Sequence, residues 1–425
     1  MKLVPYWLDT AEAFADGITE PVEGRADVAV IGAGFTGLAA SIALARKGAK
    51  VVLLEKNKVG SSASGRNGGM CTTGLAVGYL TAVARYGVEA ATRYFLSYCD
   101  AIDAVERLIA DEGVDCDFAR TGKLNLASKP AHYETLARNH EALADIGYET
   151  QLVPRQKLRS EVGTDRYHGG LADPRGAGVH VGKLTQGLAR AAHRLGVRIY
   201  EDRAVTGLRR IRGQQHEVRT ASGSVTADKV LLASGSTTGK PFAHFRRRIV
   251  PVGSYINVTE PLPDALVDEL MPTRRMASDS KNLIYYFRIT PDQRLLFGGR
   301  ARFSLLDPHR DPESSRILEK GMWEVFPQLR GTAIDYSWGG LVDMTADRMP
   351  RAGEHEGLFY SMGYSGHGVQ MSTYMGMQMA EVMDGKAEAN VWRGLDWPRI
   401  PGYGGGKPWF LPLLGAYYRV IDAVG

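Results

Sequence analysis

Apolar residues first crowd together at Asp27-Val28-Ala29-Val30-Ile31, the pattern of a strand buried on both faces. The run passes straight into Gly32-Ala33-Gly34-Phe35-Thr36-Gly37. Leu38, Ala39, Ile42, Ala43 and Leu44 then recur at helical spacing up to Lys47, and Gly48 ends the helix. A second apolar run, Lys50-Val51-Val52-Leu53-Leu54, stops at Glu55. These pieces predict one strand–helix–strand unit of about 30 residues.

Beyond it the pattern shifts. Ser61–Met70 is a small-residue loop without periodicity, and Ala91, Phe95, Ile102, Val105 and Ile109 mark a helix over 88–112. A half-exposed strand is predicted over 118–127, helices over 132–146 and 184–195, and strands over 197–200, 217–220 and 229–233. From 249 to 303, β-branched and aromatic runs (249–259, 283–289, 295–299) alternate with turn signals such as Pro291-Asp292, which predicts a mostly antiparallel sheet. A Gly-rich loop, a strand at 358–360 and a helix over 368–383 follow. In the apolar tail, Leu413, Leu414, Tyr417 and Val420 recur at helical spacing. They are expected to pack on the protein's own body rather than to anchor it at a lipid surface.

Composition narrows the class. Fifty glycines in 425 residues is about 12%, against a usual ~7%, and they cluster where backbone must approach a ligand or take positive φ. Fifty-two cations against 47 anions leave a net charge of +5, which gives no bias toward nucleic acid. Three cysteines without a CxxC pair argue against a disulfide framework or a structural zinc site and fit a reducing cytoplasm. No metal-ligand spacing stands out. The N-terminus lacks a signal-type apolar core, and no apolar stretch is long enough for an integral membrane segment.

A GxGxxG pattern alone is weak evidence. Here it sits between a strand and a helix, and an acid closes the next strand. Gly32 makes the tight turn, Gly34 lets backbone approach a pyrophosphate, and Gly37 lets helix and strand pack closely. Phe35 and Thr36 open the helix, whose free N–H groups and positive dipole end suit phosphates. Glu55, eighteen residues after Gly37, is placed to accept from a ribose, with Lys56 beside it. The second strand then runs into the Ser/Gly/Asn loop instead of further strand–helix units. That interruption favours a cofactor whose far end is gripped by distant segments over a nicotinamide dinucleotide.

Four blocks resemble a known family: DVAVIGAGFTGLAASIALARKGAKVVLLEKN (27–57), SASGRNGGM (62–70), RRIVPVGSYINVTEPL (247–262) with LIYYFRITPDQRLLFGGR (283–300), and WGGLVDMTADRMPRAGE with GLFYSMGYSGHGVQMSTYMGMQMAEVMDG (within 338–385). They resemble the FAD-dependent D-amino acid oxidase/glycine oxidase superfamily, most of all its γ-glutamylputrescine oxidase-like branch. The resemblance implies an α/β (α+β) chain with a Rossmann-like FAD-binding domain interleaved with a substrate domain on a mostly antiparallel sheet. After an N-terminal segment (1–25), FAD-binding parts would span 26–85, 151–245 and 331–390, substrate-domain parts 86–150 and 246–330, and a tail 391–425. It further implies FAD contacts from Gly32, Gly34, Phe35, Thr36, Gly37, Glu55 and Lys56. Ser62, Ser64, Arg66, Asn67, Gly68, Gly69 and Met70 would run along the pyrophosphate and flavin, with Val205 at the adenine. Ser234, Gly235, Gly363, Gly366, His367, Gly368 and Val369 complete the set, the last helix pointing N–H groups at the flavin.

Covalent relatives carry a His or Cys nucleophile at two places. Here these read Gly65–Gly69 and Leu341–Met344, and Cys71 falls late, so non-covalent FAD is expected. The implied reaction oxidises a small-molecule primary or secondary amine to an imine by hydride transfer to the flavin, followed by hydrolysis, with molecular oxygen or another electron acceptor. Tyr255, Tyr286, Arg288, Trp338 and His367 are the expected catalytic residues. Arg288 and Arg300 are candidates for a substrate carboxylate, and Lys281 reads as an exposed loop lysine. A flavin-dependent 2-hydroxy-acid oxidoreductase and a quinone-coupled amine dehydrogenase stay open as alternatives, as does the oligomeric state.

Overall fold

Two eight-stranded sheets, each interrupted in sequence by the other, organise residues 1–300 and 311–424, the part of the chain described by this computed structural model. In the first sheet Arg25–Ile31 is central. It pairs in parallel with Val51–Leu54 on one side and Gly223–Leu232 on the other, and Arg198–Tyr200 and Leu358–Met362 extend both flanks in parallel. Val30, Val52, Leu53 and Leu231 are fully buried, as strands covered on both faces require. The helices Phe35–Arg46 and Gly368–Met383 pack together on one face. Their approach needs a glycine: a Cβ on Gly376 would lie 2.3 Å from the Thr36 carbonyl oxygen.

The second sheet runs in the order Ile334–Met344, Val250–Thr259, Leu295–Gly299, Tyr285–Ile289, Met276–Asp279, Lys123–Leu126, Gly169–Asp173, Gln151–Pro154. Every pair is antiparallel except Met276–Asp279 with Lys123–Leu126. Two expected boundaries are corrected here. Strands at 151–154 and 169–173 lie within the span 151–245, and 334–344 within 331–390, both assigned to the cofactor domain, yet all three pair in this sheet. Gly169 and Gly170 hide a strand from any propensity reading, and pairing over such sequence separations leaves no local trace. Residues 301–310 of the expected substrate segment lie outside the described residues.

Side chains alternate across this sheet. Tyr255, Tyr285, Phe287 and Phe297 share one face and bury against Leu318, Met322 and Phe326. Trp338, Ile256, Gly298, Tyr286, Ser278 and Asn125 stand in one row across six strands on the other face, which looks toward the first sheet and its helices.

The tail forms the expected helix, Leu411–Val424, in a different rotation. Leu411, Leu414 and Tyr418 face Val250, Val252, Leu283 and Met344, whereas Leu413, Tyr417 and Val420 face solvent. The Asp422 carboxylate, which accepts from the Asn282 and Leu283 backbone N–H groups at 3.0 and 2.8 Å, pins that rotation. Among the described residues no helix is long and apolar enough to cross a membrane.

Candidate active site

Two helix N-termini meet beneath the second sheet. Gly34 is the N-cap of Phe35–Arg46 and offers no side-chain cap, so the first-turn N–H groups and the positive dipole end are presented outward. Gly32 sits at φ +108°, and a Cβ on Gly37 would come 1.9 Å from the Gly32 oxygen. A Cβ on Gly34 would lie 2.8 Å from Ser64 Oγ, which itself accepts from Phe35 N at 3.0 Å. The Glu55 carboxylate accepts from Ala33 N (2.8 Å) and Asn57 N (2.9 Å), and burial pushes its pKa up. Lys56 beside it is exposed. Val205 opens a strand two residues past Arg203, whose N–H donates to the Glu55 carbonyl at 2.7 Å. These groups gather at the carboxyl ends of the parallel strands, where dinucleotides bind in such sheets.

The second N-terminus is that of Gly368–Met383. Gly363 and Gly366 take φ of +81° and +98° in the turn before it. Tyr364 Oη bonds Thr36 Oγ1 and Ser361 Oγ, each at 2.8 Å, which ties the two helix starts together. Asp343 braces the same turn: its carboxylate accepts from Gly363 N at 2.6 Å and its carbonyl from Ser365 N at 3.1 Å. Gly235, at φ +48°, would place a Cβ 3.3 Å from that carboxylate, and Ser234 Oγ bonds Thr238 Oγ1 at 2.8 Å. Val369 is buried behind the turn.

The 62–70 loop runs between these termini. Ser62 precedes a short turn, Ala63–Gly65. Arg66 donates to the Ser61 and Gly339 carbonyls at 2.7 and 3.1 Å. Asn67 donates to the Ala63 and Ser64 carbonyls and accepts from Gly69 N at 2.9 Å. Met70 pairs with Gly178. Three large side chains hold the loop from outside. Trp7 Nε1 donates to the Asn67 carbonyl at 2.7 Å, Trp338 Nε1 to the Arg66 carbonyl at 3.0 Å, and Arg288 to the Gly69 and Val179 carbonyls. Tyr286 lies across Gly68, its ring 2.9 Å from where a Cβ would be, with its hydroxyl bonded to Ser254 Oγ at 3.1 Å.

One expected catalytic placement is therefore corrected. Tyr255 is on the opposite face of the sheet, where its hydroxyl donates to Asp311 at 3.1 Å. Arg288 and Trp338 are on the same side as Tyr286, and their polar heads donate to loop carbonyls. Lys281 is not an exposed loop lysine: it pairs with buried Asp279 at 3.2 Å and lies over the Tyr285 ring, on the Tyr255 side. Sequence reasoning missed Lys123 and Asp343, which sit in ordinary strand patterns, and gave Trp7 no role.

Two buried basic groups lie on the Tyr286 side of the sheet, with the Asp173 carboxylate within electrostatic reach of one of them, Lys123. Lys123 Nζ donates to the Thr73 carbonyl at 2.6 Å, and burial lowers its pKa. Arg300 donates to the Asn282 carbonyl at 3.3 Å, and burial pulls it down to about 10. Burial, with Lys123 and Arg300 nearby, holds His367 down to about 3, so the imidazole is neutral at physiological pH. Among the described residues its Nδ1 and Ser61 Oγ are buried without a hydrogen-bond partner, and a Cβ on Gly366 would meet nothing within 4 Å.

Asp343 supplies a pH test. Burial pushes its carboxyl from 3.8 to about 6. A folded-state value above the unfolded one means that the fold disfavours the ionised form. Stability contributed by this group is therefore full below about pH 4 and lost as pH rises through about 6. Thermal unfolding of Asp343→Asn and the native protein across this range should show the native protein losing ground as pH rises. A native protein that gains ground instead would show that the N–H donors outweigh burial.

A paired-terminus dinucleotide cradle roofed by an antiparallel sheet defines the class as a dinucleotide-dependent oxidoreductase. The chain belongs to the DAO family of FAD dependent oxidoreductases, whose family model matches residues 27–382. It is 33% identical to gamma-glutamylputrescine oxidoreductase of Escherichia coli (strain K12) over 437 aligned residues, covering 99% of this chain and 98% of the relative. It is 35% identical to the probable oxidoreductase OrdL of Haemophilus influenzae, covering 94% and 92%. Glycine oxidase from Geobacillus kaustophilus shares the fold, with a TM-score of 0.76 at 22% identity over 89% of this chain and all of that one. The protein is an FAD-dependent enzyme. The residues present fit FAD: Glu55 would meet the ribose, the glycine-capped helix the pyrophosphate, and the Gly363–Gly368 turn, where His367 Nδ1 has no hydrogen-bond partner among the described residues, the flavin.

Proposed function

We propose that the enzyme oxidises a primary or secondary amine carrying a carboxylate, acyl or amino-acid handle to an imine that water hydrolyses. The observation that carries this reading is the sheet face itself, where buried Lys123 and Arg300 lie within electrostatic reach of a neutral His367 and Tyr286 stands on the same side. Bound FAD supplies the acceptor for the two electrons leaving the carbon next to nitrogen. The chain's own residues prepare the substrate. Two buried cations disfavour a third, so a substrate ammonium entering beside them sheds its proton and presents the lone pair that C–H cleavage needs. The same burial and cations make His367 too weak a base to keep that proton, which leaves to solvent as the substrate enters; the neutral imidazole can accept a hydrogen bond instead. The same cations favour an anionic handle, and Arg300 provides the fork that a carboxylate fits. Tyr286 closes the sheet side and excludes water. The similarity to gamma-glutamylputrescine oxidoreductase supports an amine over a 2-hydroxy acid.

FAD is held without a covalent bond. Cys71 is the thiol nearest the loop, but it is fully buried and burial pushes it up to about 12, which leaves no thiolate to attack. Acid precipitation should release all yellow colour to the supernatant. Under anaerobic conditions an amine panel should bleach the flavin while 2-hydroxy acids leave it oxidised. Colour retained by the precipitate refutes the first statement, and bleaching by hydroxy acids alone refutes the second.

A further inference from the structure

The Leu411–Val424 helix is apolar on two faces. Only Arg419 and Asp422 are charged, and Asp422 is turned inward onto Asn282 and Leu283. With Leu411, Leu414 and Tyr418 packed on the body, Leu413 (69% exposed), Tyr417 (59%) and Val420 (61%) form an outward stripe at helical spacing, and Trp409 (60%) prolongs it. A helix apolar on both faces belongs in an interior, and a contiguous exposed apolar stripe marks an interaction surface.

The charge around the stripe selects its occupant. The Arg246 guanidinium lies against Gly406, Ile400 N donates to the Arg247 carbonyl, and Arg248 donates to the Trp397 carbonyl, so the basic run 246–248 flanks the segment leading into the helix. Arg399, Lys407 and Arg419 add to it, and none of these six cations forms an ion pair among the described residues. Arg247 and Arg399 crowd Arg248 enough to help lower its pKa. A second copy of the chain would bring the same uncompensated cations face to face. An anionic lipid surface offers the opposite charge and, below its headgroups, an apolar layer for Leu413 and Val420, with Trp409 and Tyr417 at the level such rings prefer. We propose that this face of the terminal helix docks the enzyme on an anionic membrane surface. Fourteen residues span about 21 Å, short of the ~30 Å hydrocarbon core, so the helix lies in the plane of the interface. Docking would bear on the site as well, because Asp422 holds the segment that enters the Tyr285–Ile289 strand, and Tyr418 is within electrostatic reach of Arg300.

The test is flotation of the full-length, FAD-loaded protein with vesicles, so its outcome is independent of the substrate. Phosphatidylcholine vesicles containing phosphatidylglycerol should carry the protein up and pure phosphatidylcholine should not, and salt should weaken the binding. Leu413→Ser with Tyr417→Ser should lower the partition coefficient at least about tenfold while flavin absorbance and thermal midpoint hold. Arg247→Gln and Lys407→Gln should each lower it roughly fivefold. Absence of binding to the anionic vesicles, or binding that neither set of variants weakens, overturns the proposal. A dimer seen by light scattering that the serine pair dissolves, without vesicle binding, overturns it in favour of a second copy.

Discussion

A Gly34→Val chain should fold and leave purification colourless. The added Cβ meets Ser64 Oγ at 2.8 Å, and a hydroxyl at the end of a short side chain can rotate away. The fold therefore tolerates the first carbon. What it loses is the Ser64 bond to Phe35 N, and the two γ-methyl groups then stand over the uncapped helix start where the pyrophosphate must come within hydrogen-bonding distance. Gly37→Ala makes the contrast. Its Cβ would sit 1.9 Å from the Gly32 carbonyl oxygen, backbone that cannot rotate aside, so this variant should fail to fold rather than fold empty. Circular dichroism and visible absorbance on the same samples separate the two outcomes. A yellow Gly34→Val protein would remove the pyrophosphate assignment.

The difference between those two glycines was open to sequence reasoning because their tasks follow from one local strand–helix–strand unit, although Ser64, which Gly34 meets, lies beyond it. Helix periods such as 88–112 and 368–383 were equally legible, since each helix buries one continuous stripe. The second sheet was not. Gln151–Pro154 is too short and Gly169–Asp173 too glycine-rich to announce itself, and their partners are set by contacts outside their own segments. Tyr255 shows a subtler limit. In Ser254-Tyr255-Ile256 the alternation is clear, but all three side chains are compatible with either face, and one residue of register decides which looks at the cofactor. The tail failed in the same way: the helical period was right, but its rotation is fixed by Asp422 reaching Leu283, a contact that no period reports. Lys123 was invisible for a related reason, because a lysine on a half-buried strand reads as solvent-facing unless the covering domain is known.

Arg288→Met should cost FAD affinity about ten- to a hundredfold and leave thermal stability of the apoprotein nearly unchanged. The guanidinium is 5% exposed and pairs with no carboxylate among the described residues; it is solvated by the Gly69 and Val179 carbonyls and lies 5.9 Å from the Trp7 ring centre. Burial pulls its pKa down to about 10, so the fold pays to keep it charged. A methionine of similar length fills the space and removes that cost, which offsets the lost hydrogen bonds. Gly69 O also keeps its donor from Val179 N at 2.9 Å, so the loop is not left with an orphaned carbonyl at that point. The cost falls on order. Without a rigid fork gripping Gly69, the turn that presents Gly68 under Tyr286 loses one of its three external holds, and a charge-assisted bond of this kind is worth about 1.5–3 kcal/mol. Titration of the apoprotein with FAD reads the affinity, and steady-state kinetics at saturating FAD reads the substrate. A substrate anchor at Arg288 would give the reverse result: unchanged FAD affinity with a KM raised for anionic substrates. A positioning role predicts that KM holds once the cofactor site is filled, and that Arg300→Met, not Arg288→Met, raises it.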